Sequence, residues 1–385
     1  MTRSGFFCSR TILCATMAFV LSACSISSLR PGPSPEPTVT PASPPSSRPT
    51  PAGSTPQVVV TNTPAGPPPI SLFNFQNLAL LYQWDIASDI VRITGAALSP
   101  LGDQLAFLAV RYPEQYSLEL RDSKTGNLRW TQTLEAKADY SALAFSPDGN
   151  LIAVGTGTGN VTVWNAPDGS VSQVLKGPSY AVRAVAFSPD GNLIAAAGSD
   201  SMVHVWQVSG GALRETYLLK ENVGSLVFSP DSRYLATSSN IFAVYDLTSA
   251  DNTPVVYYDG IAPHATAQIL FSPDSHSLIA EAELNDRDNN TWIPRILIWK
   301  LSSNRSAFRK IPLGDVVQNM IVLSDGQSVL GYDPGTGQLE AVDTSSKSIV
   351  GTVDLGPLLF MDYSADFSRL VVVTRSSVAV WGVRP

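Results

Sequence analysis

The segment Phe145-Ser146-Pro147-Asp148-Gly149 decides the fold, because the chain repeats it. Three close copies and three weaker copies of this segment occur. The serine at the second position of each copy is called a marker serine below. The marker serines are Ser99, Ser146, Ser188, Ser229, Ser272, Ser324 and Ser364. Successive marker serines are 47, 42, 41, 43, 52 and 40 residues apart. A period of about 40–45 residues with short alternating strands is typical of a β-propeller, one blade per repeat. The marker serines therefore predict an all-β, seven-bladed β-propeller.

Each copy reads as the end of a strand followed by a tight turn. The stretch Ala184–Phe187 is apolar, as a strand covered on both faces should be. Pro189 fixes its φ and lacks an N–H donor, so strand pairing stops there. Asp190 accepts nearby backbone hydrogen bonds and Gly191 tolerates a positive φ, which completes the reversal. Three further strands are predicted at Leu193–Ala197, at Val203–Trp206 and near Leu213–Leu219, so each blade has four strands.

These repeats resemble the WD-repeat β-propeller family over about residues 78–385. The aromatic position late in the third strand is held by Trp164, Trp206, Tyr245, Trp299 and Trp381. The aspartate that follows it in the family is held by Asp122, Asn165, Asp246 and Asp343. Pro178 stands where the family has a histidine, so we expect apolar packing rather than a buried His–Asp network to join the blades. The periplasmic propeller of the Tol system shares the Ser-Pro-Asp-Gly phrase, but the Val-x-Val-Trp third strand favours the WD type.

The last repeat is one strand short. It supplies Met361–Tyr363, Leu370–Val373 and Val378–Trp381, whereas Leu78–Trp84 precedes the first marker and has no blade of its own. An unpaired sheet edge in the last blade would leave the ring held by packing alone. We therefore expect Leu78–Trp84 to be the outer strand of the last blade, closing the propeller.

The N-terminus predicts export. Arg3 and Arg10 precede the apolar run Ile12–Leu21, a pattern typical of a signal peptide. The run is too short for a membrane-spanning helix, which needs about 20 residues. The run ends in Leu21-Ser22-Ala23-Cys24, which matches the lipobox of bacterial lipoproteins. That resemblance implies cleavage before Cys24 and a diacylglycerol on its sulfur. Ordinary cleavage nearby is the alternative, but Leu21 fits its small-residue rule poorly. We expect residues 1–23 to be the signal peptide of a membrane-anchored lipoprotein at the cell membrane, in the periplasm or on the outer surface.

Residues 24–69 are predicted to be a disordered tether. Fourteen of the 29 prolines fall between Pro31 and Pro69, among serine, threonine and glycine. Such a segment cannot bury enough apolar surface to fold. Residues 70–385 are then the propeller. With Cys8 and Cys14 in the signal peptide, the mature chain keeps only Cys24, so no disulfide is expected.

The net charge of the predicted propeller restricts the class of partner it can bind. From residue 70 onward there are 21 basic and 31 acidic residues, a net charge of −10. Nucleic acid and anionic lipid surfaces select basic proteins, so neither is expected as the main partner. We therefore expect the protein to contact the membrane through its lipid anchor.

The residues that carry chemistry are few. The histidines are His204, His264 and His276, and none is paired at metal-ligand spacing. His204 is predicted to lie on a blade surface, at the position of Thr162 in the previous repeat. A Ser-His-Asp triad stays possible, since its members need only meet in space. We predict no cofactor, no firm metal site and no catalytic residue.

The longest interval contains an insertion, residues 282–294, between strands predicted at Leu278–Glu281 and Arg295–Trp299. We interpret it as a polar loop. Asp286, Asp288 and Asn290 have the alternating spacing of calcium loops, but Thr291 replaces the usual glycine and no acidic residue closes the loop. A solvated loop and a weak calcium site both remain open. Trp292 either folds back onto the blade or contacts a partner.

Two functions remain open. The first is a non-catalytic binding or scaffold module for a protein, peptide or glycan. Its predicted contact surface carries the loops that lead into each blade and the loops that join second and third strands. Trp292 is the predicted anchor, Asp286 and Asp288 flank it, and Tyr180 joins them. The second is a propeller enzyme, such as a hydrolase, lyase or quinone-dependent dehydrogenase, with a site at the central channel. Fold alone does not separate them.

Overall fold

A computed structural model describes residues 68–134, 142–219, 223–238, 241–258, 268–286, 291–301, 308–312, 318–323 and 325–383. Contacts divide the chain into residues 1–61 and 62–385, and every described residue belongs to the second unit. The predicted signal peptide, Cys24 and nearly all of the tether lie outside the described residues. Within the described ranges, no helix has the length and apolar character needed to cross a membrane.

The described residues form 28 strands in seven antiparallel sheets of four strands each. A 3-10 helix, Phe75–Asn77, precedes β1 (Leu78–Asp85). Blade 1 consists of β2 (Ile90–Leu98), β3 (Gln104–Arg111), β4 (Gln115–Asp122) and β5 (Leu128–Thr133). Blade 2 consists of β6 (Leu143–Phe145), β7 (Leu151–Gly155), β8 (Asn160–Asn165) and β9 (Val171–Lys176). Blade 3 consists of β10 (Val182–Phe187), β11 (Leu193–Gly198), β12 (Met202–Gln207) and β13 (Leu213–Leu218).

The remaining blades follow the same up-and-down order. Blade 4 consists of β14 (Ser225–Phe228), β15 (Tyr234–Ser238), β16 (Phe242–Asp246) and β17 (Val256–Tyr258). Blade 5 consists of β18 (Ile269–Phe271), β19 (Ser277–Asp286), β20 (Thr291–Lys300) and β21 (Phe308–Pro312). Blade 6 consists of β22 (Gln318–Val322), β23 (Ser328–Asp333), β24 (Gln338–Asp343) and β25 (Ser348–Asp354). Blade 7 consists of β26 (Phe360–Tyr363), β27 (Leu370–Val373), β28 (Ser377–Val383) and β1.

Apolar side chains fill the seam between each pair of neighbouring blades. Seven clusters of buried residues are present in the described chain, and each joins two successive blades. One cluster packs Val371 and Val380 of blade 7 against Leu105 and Phe107 of blade 1, so the blades form a closed ring. The prediction of seven blades held together by apolar packing is confirmed.

The marker turns owe their sequence to a buried serine. Ser188 is fully buried, and its Oγ donates to Asp190 Oδ1 at 2.5 Å while accepting the Leu193 N–H at 2.9 Å. Asp190 Oδ1 also accepts the Asn192 N–H at 3.1 Å, and Gly191 has a φ of +74°. Each polar group buried by the turn therefore has a partner, which explains why the phrase recurs.

Adjacent marker turns are also joined to each other. In blades 4 and 5 a serine replaces the turn glycine, and Ser232 and Ser275 adopt φ values of +60° and +59°. The Oγ of Ser232 accepts the Asp190 N–H, and that of Ser275 accepts the Asp231 N–H, each at 3.0 Å. These bonds link blade 3 to blade 4 and blade 4 to blade 5.

The N-terminal strand closes the ring as predicted. Antiparallel β1 pairs with β28 from Leu78 opposite Val383 to Asp85 opposite Ser377, as the outer strand of blade 7. Trp84 Nε1 donates to the Ser123 carbonyl of blade 1 at 3.1 Å. A Cβ at Gly126 would lie 2.5 Å from Trp84 Cδ2, so only glycine fits beneath this ring.

The same contact recurs around the ring. An outer-strand side chain donates to the carbonyl that follows the third strand of the next blade, and the further donor–acceptor pairs are Trp130 to Ala166 at 2.7 Å, Gln173 to Val208 at 2.9 Å and Arg214 to Leu247 at 2.9 Å. Trp84 therefore makes, between blades 7 and 1, the same kind of hydrogen bond that joins blade 1 to blade 2, blade 2 to blade 3 and blade 3 to blade 4.

Aspartates after the third strand open the next turn by accepting backbone hydrogen bonds. Asp122 Oδ1 accepts the Lys124 and Thr125 N–H groups at 3.1 and 3.0 Å. Where the family histidine is replaced by Pro178, the neighbouring Ser179 N–H donates to Asp200 at 2.7 Å. Backbone N–H groups therefore donate hydrogen bonds to the acidic side chains at these turns.

Candidate functional site

The strand order gives the propeller two distinct faces. The upper face carries the loops that lead into each blade and the turns between second and third strands. The marker face carries the marker turns and the turns between third and fourth strands. The Ile70 N–H donates to the Phe367 carbonyl in the marker turn of blade 7 at 2.8 Å. The described chain therefore begins on the marker face.

The predicted binding residues lie on elements of the upper face. Tyr180 is in the loop before β10 and is 64% exposed. Asp286 ends β19 and Trp292 is the second residue of β20, both in blade 5. Asp288 and Asn290 lie outside the described residues, so the calcium interpretation stays a prediction.

The insertion in blade 5 differs from the predicted irregular loop. Strands β19 and β20 pair continuously out to Asp286 opposite Thr291, with Leu284 opposite Ile293 and Asn285 opposite Trp292. The segment is therefore a two-stranded extension, and only residues 287–290 lie between its strands. Most residues of the insertion are polar, so the alternation of apolar and polar residues expected of a strand is not visible in the sequence. Proline is also uncommon within a strand, which made a strand at Pro294 unexpected. At Pro294 the extension has already passed the end of β21, so no ladder donor is needed on that side.

The described histidines lie in different blades. His204 lies on β12 at the position that Thr162 holds on β8, as predicted, and stacks on Trp206 with ring centroids 5.5 Å apart. Burial lowers the pKa of His204. His276 is exposed in its marker turn, and His264 lies outside the described residues. In the described ranges, no group of three or more His, Cys, Asp or Glu is placed to hold a metal ion.

A cavity of about 760 Å³ opens on the upper face where blade 7 meets blade 1. We call it the seam cavity. Its walls come from the segment after β1, from β2, from the turn between β3 and β4, and from two loops of blade 7. It is lined by Ile86, Ile90, Val91, Arg92, Ile93, Val110, Arg111, Tyr112, Pro113, Glu114, Tyr116, Leu359 and Arg375. Apolar walls with a few polar groups are typical of a ligand-binding pocket.

The guanidinium of Arg111 is held in place at the cavity wall. Its Nε donates to Asp89 at 2.7 Å, one terminal nitrogen donates to Ser117 at 2.8 Å, and the other donates to Glu119. Glu119 is fully buried and also accepts two hydrogen bonds from Arg121, at 2.8 and 2.9 Å. Burial works to lower the pKa of Arg111, but its bonds to the two carboxylates raise it overall. Arg111 is thus a fixed cation.

A carboxyl group joins the inner strands at the same seam. Asp362 on β26 accepts the Leu98 N–H of blade 1 at 2.7 Å through Oδ2 and the Tyr363 N–H at 2.8 Å through Oδ1. Burial raises the pKa of Asp362 to about 6, against the lowering effect of these two donors. The closing seam therefore contains a buried carboxyl group whose pKa lies above that of an ordinary aspartate.

Sequence reasoning did not find the seam cavity. Its residues come from segments around 86–93, 110–116 and 359–375, which meet only when the ring closes. One signal was present: the first marker interval, 47 residues, exceeds the 40–43 of four other intervals. The extra residues lengthen β3 and β4 to eight residues each, and the turn between them forms one wall.

Comparison with known families agrees with this architecture. Three segments match the WD domain, G-beta repeat, at residues 129–165, 169–207 and 214–253. The chain resembles the WD-repeat β-propeller family. Each matched segment begins near the outer strand of one blade and reaches the third strand of the next blade. The sequence repeat is therefore offset from the blade by one strand, and β1 supplies the outer strand of blade 7. No curated protein matches the chain.

Proposed function

We propose that this WD-repeat-like propeller is a non-catalytic binding module that holds a protein or peptide partner on its upper face. Propellers of this type typically mediate protein interactions, which supports a scaffold role. The observation that carries the proposal is the seam cavity, a concave site with both apolar and polar walls, on the face opposite the one where the described chain begins. A partner on the upper face would leave the N-terminal connection free.

The anchoring part of the proposal rests on the N-terminal sequence. Lipidation of Cys24 would hold the protein at a membrane outside the cytoplasm, and the proline-rich segment 24–69 would act as its tether. Because the tether would join the propeller at the marker face, the upper face would be presented away from its attachment point. The acidic net charge supports a protein partner over nucleic acid.

Site-specific photo-crosslinking in cells tests which face meets the partner. A photoreactive residue at Tyr112, 88% exposed at the seam cavity, should crosslink to a discrete partner. The matched control is the same residue at Phe73, which is 99% exposed just after the chain begins on the marker face. Crosslinks from Phe73 but not from Tyr112 would contradict the proposal, as would the absence of any adduct from both.

A further inference from the structure

We infer that closure of the ring by β1 and the shape of the seam cavity are coupled through one buried glutamate, Glu119. This residue holds Arg111, which lies in the cavity wall, and Arg121, which contacts Trp84 of the closing strand. One consequence rests on the proposed function: a partner bound in the seam cavity stabilises the closed ring.

Glu119 lies at the seam between blade 7 and blade 1. Its cross-strand neighbour on β3 is Phe107, which belongs to the apolar cluster that joins these two blades, so both side chains lie on the same face of the sheet. One carboxylate oxygen of Glu119 accepts a hydrogen bond from Arg111, and the other accepts two from Arg121, at 2.9 and 2.8 Å. A fully buried carboxylate is stable only while it is paired. The positions of the two arginines therefore depend on each other.

Arg121 connects the buried glutamate to the closing strand. Its guanidinium carbon lies 5.8 Å from the centre of the Trp84 ring, and a cation over an indole ring is attracted to it. Arg121 also donates to the Gly126 carbonyl at 2.9 Å, while Trp84 donates to the Ser123 carbonyl at 3.1 Å. Trp84 and Arg121 thus hold the same turn of blade 1, and each helps to position the other.

Arg111 connects the same glutamate to a strained turn in the cavity wall. Glu114 has a φ of 130°, a conformation that L residues rarely adopt and that persists only where the surrounding structure holds it. The Glu114 N–H donates to the Arg111 carbonyl at 2.8 Å, and the Arg111 side chain is held by Glu119. The turn should therefore relax when this pairing loosens, which would change one wall of the cavity.

The chain that leaves β1 also enters the cavity wall. The Ile86 N–H donates to the Ser376 carbonyl in the turn between β27 and β28 at 2.8 Å. Ile86 and Ile90 then line the cavity between residues of blade 7 and blade 1. A cavity built from both blades has this shape only while the ring is closed. A partner that binds this shape alone therefore favours closure, and opening of the ring weakens its binding by the same factor.

Hydrogen exchange measured by mass spectrometry on the full chain tests the coupling. Glu119→Gln keeps the size of the side chain but removes the charge that holds both arginines. Exchange should become about tenfold faster, or more, both in β1 and in residues 110–116 of the cavity wall. Exchange in β11 of blade 3 should keep its wild-type rate. Acceleration in only one of the two segments, or equal acceleration in β11, would overturn the inference.

Asp246→Asn is the matched control. Asp246 accepts two hydrogen bonds from Arg233 in blade 4, at 3.1 and 2.7 Å, so this variant also removes the charge of a carboxylate paired with arginine. Because the pair lies outside the closing seam, exchange in β1 and in residues 110–116 should not change. Acceleration there would show that Glu119 has no special role.

A double variant tests the route of the coupling. Trp84→Phe removes the hydrogen bond to Ser123, and it should speed exchange in residues 110–116 although none of them is altered. Adding Glu119→Gln to this variant should then accelerate exchange less than Glu119→Gln does alone, because both changes act on the same network. Effects that simply multiply would show two independent sites and would overturn the inference.

These experiments decide the coupling separately from the proposed function, because they need no partner. In cells, Trp84→Phe should lower the yield of the crosslink from Tyr112 severalfold, since an opened ring binds the partner less well. An unchanged yield would overturn stabilisation of the closed ring by the partner. The absence of any adduct from the wild type would contradict the proposed function alone.

Discussion

Single residues in this propeller are chosen mainly by the hydrogen bonds they complete. The marker serine is buried because its Oγ serves an aspartate and a backbone N–H in the same turn. These local roles were predictable, since each partner is within five residues in the chain. The bonds from Asp190 to Ser232 and from Asp231 to Ser275 were not, because they join different blades and depend on the ring.

Asp362 should make the stability of the fold depend on pH in the weakly acidic range. Its pKa is raised by burial from 3.8 to about 6, so the folded protein favours the protonated form more than the unfolded chain does. The resulting stabilisation is fully present below pH 3.8 and is lost as the pH rises through about 6. We therefore expect this group to lower the melting temperature as the pH rises from about 4 to about 6.5.

The control for this prediction is Asp362→Asn, which cannot ionise. Thermal melts of both proteins across the same pH series should show a flatter profile for the variant, whatever its absolute stability. Parallel profiles would mean that Asp362 does not titrate in this range.

At the scale of strands and turns, the sequence predicted most elements because the marker turns set their spacing. The closing strand was predicted as Leu78–Trp84 and runs Leu78–Asp85. The extension of β19 and β20 was wrongly interpreted as a loop, because residues 282–294 are mostly polar and show no clear alternation of apolar and polar residues. Pairing between the two strands, rather than the composition of either one, determines that structure.

Trp292 stays a predicted partner contact, now placed in a hairpin strand instead of a loop. Trp292→Ala should weaken capture of the partner about tenfold or more, since removing an interface tryptophan typically costs about 2 kcal/mol. The melting temperature should change little. Affinity capture and thermal melts on the same preparation separate the outcomes. Normal capture, or joint loss of fold and capture, would assign Trp292 to packing.

At the scale of the whole molecule, one segment has two roles. Strand β1 closes blade 7, and the residues that follow it, Ile86 and Ile90, form part of the seam cavity. The sequence predicted the closure because a strand was missing from the last repeat. It did not predict the cavity, since Arg92 and Arg375 line one cavity only after the first and last blades meet.

Membrane attachment is predicted to depend on Cys24. Cys24→Ser should leave an unprocessed precursor and abolish labelling with a fatty-acid probe, because the Cys24 thiol would be the acceptor of the lipid. Detergent phase partitioning supplies the second readout. Wild-type protein found in the aqueous phase would contradict lipid anchoring, while leaving the propeller and its upper face unaffected.

Thermal unfolding of two shortened chains tests the closed ring most directly. A chain that begins at Ile70 keeps β1, and it should melt at the temperature of the full protein. A chain that begins at Ile86 lacks β1, which exposes the edge of β28 and removes the bond from Trp84 to Ser123. Its melting temperature should fall by roughly 10 °C or more, the effect of losing several kcal/mol of stability. Equal melting temperatures for the two chains would contradict closure by the N-terminal strand.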